Sequence, residues 1–221
     1  TSVEEYRDMG YLPEAMCNYL LRLGWGHGDD EIIPREKALE WFDLKGIGKS
    51  PASFDFGKLE SLNAHYINEA PAERIIELCK PFYQSRHNIE LSDKAQKRII
   101  AGADELKSRA KTLLQFTDES AFYAKELPFE YDEKATSLLD KDILSALKTV
   151  LSALNDFTSE SIQSACKIIA DEQMEGKLGK VAMPLRAALT GTTVSPSIFH
   201  AAEILGNDET CARNQAAIQS A

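Results

Sequence analysis

GKLGKVAMPLRAALTGTTVSPSIFHAAEILG, Gly176 to Gly206, is the stretch from which the fold is read. Its apolar residues recur at helical spacing, and the two helices they predict run near 182–190 and 195–205. Ser195-Pro196 reads as an N-cap followed by a proline in the first helical position. Pro184 reads as a residue near a helix start, which puts Arg186 in the first turn. Lys177, Lys180 and Arg186 bracket the mouth of that otherwise apolar helix, in a chain whose net charge is −10.

The same period extends outward in both directions. Ser2-Val3-Glu4-Glu5 reads as a capping box, and Pro13 opens a helix that places Met16, Tyr19, Leu20 and Leu23 on one face. Pro34 opens another with Ala38, Leu39, Trp41 and Phe42 inward. Asp55 caps a helix through Leu59, Leu62 and Tyr66, and Pro71 starts the next. Beyond Ser92 helices are expected near 92–113, 117–125, 132–154, 158–174 and 207–219. No alternating strand is evident; LPFEY, 127–131, comes nearest and reads as an extended linker. The chain is therefore expected to be all-α. Aromatics, glycine-rich loops and prolines give way to Ala/Leu/Lys/Glu helices near residue 90, so a domain boundary is expected between 70 and 92.

Composition narrows the function classes. The 43% apolar and 27% charged residues are those of an ordinary globular chain of 221 residues. No apolar run approaches the roughly 20 residues of a membrane span, and the first residues carry no signal-peptide pattern. Cys17, Cys79, Cys166 and Cys211 are far apart in sequence, which favours buried free thiols in a reducing cytoplasm over a zinc site. His27, His65, His87 and His200 have no His or Cys partner at helical spacing, so no metal site is expected. The acidic total argues against blanket attraction to nucleic acid but leaves room for a local basic groove.

Several motifs fail on inspection. GIGKS, 46–50, mimics the end of a phosphate-binding loop, but Asp43 stands where the pattern needs a glycine and Pro51 where a helix must begin. GWGHG, 24–28, mimics a dinucleotide loop but follows a helix and misplaces its last glycine. GDDEI, 28–32, lacks the further ligands of a calcium loop. No nucleophile context occurs, so no catalytic residue is assigned. Three basic clusters remain: Lys94, Lys97 and Arg98; Lys107, Arg109 and Lys111; and Lys177, Lys180 and Arg186. Each alone suits a solvated helix face, whereas together they suit a groove for a polyanion. Phe116, Phe122, Tyr123 and Phe199 are candidates to stack on exposed bases. Two function classes follow: a module that binds a polyanion with exposed bases, and an all-helical protein-interaction or scaffold module without nucleic-acid binding.

Three phrases favour the first. EEYRDMGYLPEAMCNYLLRLGWGHGDDE, FDLKGIGKSPASFDFGKLESLNAHYI and GKVAMPLRAALTGTTVSPSIFHAAEILG resemble the C-terminal part of bacterial glutamyl-tRNA synthetases, in the right order. Residues 90–175 resemble the family in helical character and in SRAKTL, 108–113. Ser61 stands where the family commonly has a tryptophan, and ETCARNQAAI lacks its usual basic-leucine ending.

The resemblance implies the following. Residues 1–75 form a stem-contact region, with Lys49 and Ser50 touching the tRNA backbone. Residues 76–221 form a helical anticodon-binding region, with room for a split into two subdomains near 130–135. Arg186 matches the arginine that reads the third anticodon base, Arg109 matches a second residue at that base, and Lys111, Lys177 and Lys180 lie beside them. The HIGH-like and KMSKS-like signatures of the class I catalytic fold are absent. Thr1 would then follow the KMSKS-like loop, and the chain is expected to be a fragment, inactive alone and without a cofactor. ATP, with Mg2+, is implied as a substrate of the intact enzyme. The implied partner is tRNA(Glu), with tRNA(Gln) if the enzyme is non-discriminating, in a cytoplasmic, monomeric protein with no membrane contact.

Overall fold

The structure is a computed structural model that describes residues 2–49 and 52–221. Its helices are α1 (Val3–Asp8), α2 (Pro13–Gly24), α3 (Arg35–Trp41), α4 (Phe56–Glu69), α5 (Ala72–His87), α6 (Asp93–Ala101), α7 (Ala103–Arg109) and α8 (Leu113–Ser120). After a 3-10 turn (Ala121–Tyr123) come α9 (Glu133–Thr136), α10 (Lys141–Ser152), α11 (Ser159–Gln173), α12 (Gly179–Thr190), α13 (Ile198–Leu205) and α14 (Asn207–Ser220). The expectation of an all-α chain is borne out: among the described residues the one β feature is an isolated bridge between Trp25 and Ile47. None of these helices is long and apolar enough to cross a membrane.

The chain divides into two compact units, Thr1–Phe82 with Asp104–Asp118, and Tyr83–Ala103 with Glu119–Ala221. In the first, α2 packs on α4 around Tyr11, Met16, Tyr19, Leu59 and Leu62. Asp55 caps α4 by accepting from the Lys58 N–H at 3.2 Å. Asn63 is a buried polar joint in this unit. Its carbonyl accepts the Leu12 N–H at 2.8 Å, and its amide donates to Gly10 O at 3.2 Å and Lys111 O at 2.7 Å. Lys107 closes the other end of α4, donating to the carbonyls of Asn68 and Ala70.

Two expectations about burial change. Leu20, Leu39 and Phe42 are exposed rather than inward, because periodicity marks an apolar side without telling whether another element covers it; α3 buries none of its residues. Cys17 is exposed, whereas Cys79 and Cys166 are buried. The two glycine-rich loops also clasp each other. Gly26 N–H donates to Gly46 O at 3.1 Å, Gly48 N–H to Gly24 O at 2.9 Å, and the Trp25 indole to Asp43 O at 2.9 Å. A Cβ on Gly46 would lie 2.4 Å from the indole nitrogen, so glycine there serves close packing.

In the second unit α10 lies against α11 and α14, α12 against α14, and α11 against α13. Leu144, Leu147, Ile162, Cys166, Val181, Leu185 and Ala202 fill the interior. Thr158 caps α11 in a reciprocal pair with Ser161, and Asp140 caps α10. Two long expected helices are broken. The stretch 92–113 divides at Gly102, which Tyr123 packs so closely that a Cβ would sit 3.0 Å from the phenol oxygen. The stretch 132–154 divides where Asp140 restarts the helix.

Candidate nucleic-acid interface

The cationic mouth read from Gly176–Gly206 lies in the second unit, and its details differ from expectation. Gly176 takes φ +75° and Glu175 φ +53°, which turns the chain sharply after α11. Helix α12 then starts at Gly179 without a side-chain cap, so Pro184 lies inside the helix and Arg186 beyond its middle rather than in its first turn. Pro184 has no N–H for the carbonyl one turn earlier, which the helix tolerates because the remaining bonds hold it. Ser195 is not an N-cap: α13 begins at Ile198. Its hydroxyl is claimed by a tertiary contact instead.

That contact shapes the site. Arg186 Nε–H donates to Ser195 Oγ at 2.9 Å, and Nη1 approaches Met183 Sδ at 3.1 Å. Ser195 Oγ–H donates to Pro196 O at 2.8 Å. The single hydroxyl proton is thereby committed, and the oxygen faces Arg186 as an acceptor. Ser195 is buried and Arg186 half-buried, so one edge of a rigid planar cation is anchored by the protein. Thr190 Oγ1 donates back to Arg186 O at 2.8 Å and accepts from the Thr192 N–H at 3.2 Å, tying the following loop to the helix. Gly191 ends the helix at φ +74°, where a Cβ would lie 2.8 Å from Glu130 O.

The other sequence-derived candidates are distributed as follows. Lys177 and Lys180 are exposed on the approach to α12, and Lys177 pairs with Glu175 at 2.6 Å. Arg109 and Lys111 are exposed in the first unit, Lys111 facing Glu60 at 3.5 Å. Lys49 is exposed in the first unit too, while Ser50 lies outside the described residues. Phe116, Phe122 and Tyr123 are buried in the interior and present no face for a base; Phe199 is half-buried. Arg98 and Lys107 are committed to structure. Arg98 donates to Tyr123 O and Leu205 O, both at 3.4 Å, and lies 3.7 Å from Glu209.

Beneath α12 lies a group of residues that no motif marks. Arg213 on α14 is fully buried. Its Nε donates to Glu209 at 2.8 Å, Nη1 to Phe122 O and Leu189 O at 2.7 Å, and Nη2 to Lys125 O at 2.7 Å. Lys125 Nζ donates to Thr190 O at 3.2 Å. Burial pulls the Lys125 ammonium below its usual pKa, the Arg213 charge adds to this, and Asp132 opposes it. Burial alone would raise the Glu209 carboxyl. The Arg213 hydrogen bond and the Arg213 and Arg98 charges outweigh it and hold the group below its ordinary value.

Comparison with known proteins identifies what the chain is similar to. Residues 74–218 match the family described as the anticodon binding domain, and residues 1–61 match that of tRNA synthetases class I (E and Q), catalytic domain. The chain is 50% identical over 215 residues to glutamate–tRNA ligase 2 of Zymomonas mobilis, covering 96% of this chain and 44% of the relative. It is 45% identical over 222 residues to glutamate–tRNA ligase 1 of Gluconobacter oxydans, covering 99% and 47%. A crystal structure of a glutamate tRNA ligase from Elizabethkingia meningosepticum superposes with a TM-score of 0.77 at 31% identity, over 97% of this chain and 42% of that one. The chain thus spans less than half the length of the curated relatives it matches, and the resemblance to glutamyl-tRNA synthetases is borne out. Because the first match extends over more than half of its residues, the chain belongs to the anticodon binding domain family.

Proposed function

We propose that this chain is the tRNA-binding, anticodon-recognising portion of a class I glutamyl-tRNA synthetase, a cytoplasmic and monomeric enzyme that attaches glutamate to tRNA(Glu) with ATP and Mg2+. If the enzyme is non-discriminating, tRNA(Gln) is a second partner. The observation that carries the reading is Arg186, fixed along its Nε edge by Ser195 in a helix approached by Lys177 and Lys180. An anticodon is a single-stranded loop whose bases are read on their edges, and an anchored guanidinium suits that task. The lysines add the sequence-independent attraction for phosphate. Arg109 and Lys111, exposed in the first unit, are further candidate contacts to the RNA. In this reading residues 1–75 contact the inner side of the tRNA through Lys49 and Ser50, and residues 76–221 bind the anticodon arm.

The experiment titrates the chain with two tRNAs differing only at the third anticodon base, at low and moderate salt. Affinity must fall as salt rises. Lys49→Ala should weaken both tRNAs alike and flatten the salt dependence by about one ion. Arg186→Ala should lose about 1–3 kcal/mol of base discrimination, the range seen for charged base contacts in duplexes. Failure to bind at every salt concentration would favour the scaffold reading. Equal losses for both tRNAs with a lowered melting point would leave Arg186 a packing residue.

A further inference from the structure

Arg213 cannot touch RNA, since it is fully buried, yet one of its four hydrogen bonds lands on Leu189 O at the far end of the helix that carries Arg186, and the other three tie that point to Phe122, Lys125 and Glu209. Its acceptors come from three places in the sequence: Phe122 in the 3-10 turn with Lys125 just after it, Leu189 at the end of α12, and Glu209 one turn back on α14. The Leu189 and Thr190 carbonyls belong to the last turn of α12, which has no helical N–H to satisfy them. Arg213 takes the first and Lys125 Nζ the second. Two cations thus meet the negative end of one helix dipole, where such groups are favoured. Lys125 links both halves, because its carbonyl accepts from Arg213 while its ammonium holds Thr190. The Phe129 ring, 5.1 Å from the guanidinium carbon, covers one face of the plane.

This joint restrains α12 along its axis and about it. Arg186 lies one turn before Leu189, and the Thr190 hydroxyl returns to the Arg186 carbonyl at 2.8 Å. A displacement at Leu189 and Thr190 is therefore delivered to the backbone of Arg186 and, through Thr192, to the loop that presents Ser195. We propose that Arg213, together with Lys125, is a positioning residue for base recognition: it sets the placement of α12 at which Arg186 meets Ser195 and faces the anticodon. The proposal rests on the assignment of Arg186 as the base reader.

The test uses the 221-residue chain with the same two tRNAs and reads the ratio of their dissociation constants beside the melting temperature. Arg213→Lys keeps the charge but cannot span four acceptors in a plane. It is expected to reduce the ratio by about threefold to tenfold, with a smaller change in affinity for the cognate tRNA. Lys125→Met, which removes the bond to Thr190 and the ammonium's contact with the Phe129 ring while leaving the Arg213 bonds in place, should act in the same direction and supplies the answer if Arg213→Lys does not fold. Leu147→Ala, a core truncation in α10, serves as the control for lost stability: it should lower the melting temperature and leave the ratio intact. A wild-type ratio in folded Arg213→Lys and Lys125→Met, with Arg186→Ala abolishing discrimination, would overturn the positioning role alone. An unchanged ratio in Arg186→Ala would overturn the base-reader assignment and this proposal with it. Equal loss of ratio in Leu147→Ala would reduce Arg213 to a general stabilising residue.

Discussion

Ser195→Ala isolates the contact on which the candidate site turns. The substitution deletes one oxygen that does two things: it accepts the Arg186 Nε–H at 2.9 Å and donates to Pro196 O at 2.8 Å. A hydrogen bond to a charged group contributes about 1.5–3 kcal/mol and a neutral one about 0.5–1.5. The full sum would apply only if both orphaned groups stayed dry. Arg186 is half-buried, so water can replace part of what Nε loses, and the net cost should be about 1–2 kcal/mol. For a unit of this size that is a fall in melting temperature of about 4–8 °C. Ser195→Thr retains the hydroxyl and should recover most of it. Thermal melts of the three chains measure the stability term, and paired tRNA titrations measure whether base discrimination falls with it. If Ser195→Ala melts with the wild type, or Ser195→Thr is as damaged as Ser195→Ala, the hydroxyl does not anchor Arg186 and the reasoning fails.

Asn63→Ala removes three hydrogen bonds, two of them buried, and orphans the Leu12 N–H, so urea unfolding should report a loss of about 3 kcal/mol; a loss under about 1 kcal/mol would show that water or relaxation replaces them. Gly191→Ala forces a side chain into φ +74° and a Cβ to 2.8 Å from Glu130 O, and should destabilise by about 1–3 kcal/mol in thermal melts. Burial pushes the Cys79 and Cys166 thiols up to about 12, so an alkylating reagent at pH 8 should modify exposed Cys17 in the native chain and reach those two only on unfolding, as peptide mapping would reveal. Against the upward push of burial, Glu209 is held below the ordinary carboxyl value of 4.5 by its bond to Arg213, so the stability it contributes is present above pH 4.5 and is lost as pH falls through its lower folded value. Glu209→Gln should flatten the pH dependence of unfolding in that acid window, and an unchanged slope would count against the Arg213–Glu209 pair.

The elements most legible in the sequence are those whose determinants are adjacent in the chain. Asp55 before α4 and Pro13 at the start of α2 act within one turn, so they read correctly. Leu20, Leu39 and Phe42 do not, because helical spacing gives a direction and not a neighbour. Ser195 is the instructive failure. Ser-Pro is a sound helix-start signal, yet the hydroxyl that would have capped α13 belongs to Arg186, nine residues earlier. The same limit applies to Pro184, which marks a helix start only where no earlier residue nucleates one, and α12 already runs from Gly179.

The place of the candidate site was legible, since Lys177, Lys180 and Arg186 are close in sequence and remain on one stretch of chain. Its support was not. Arg213 stands in ETCARNQAAI, a polar segment in which a charged residue ordinarily points to water. What buries it is a set of carbonyls at 122, 125 and 189 that reach one point only after folding. Every residue has a carbonyl, so no choice of amino acid at those positions announces the partnership. The cation proposed to read RNA is flanked by residues of recognisable type. The cation proposed to hold it is met mainly by backbone carbonyls, and such a partnership can sit at any position that folding brings to them.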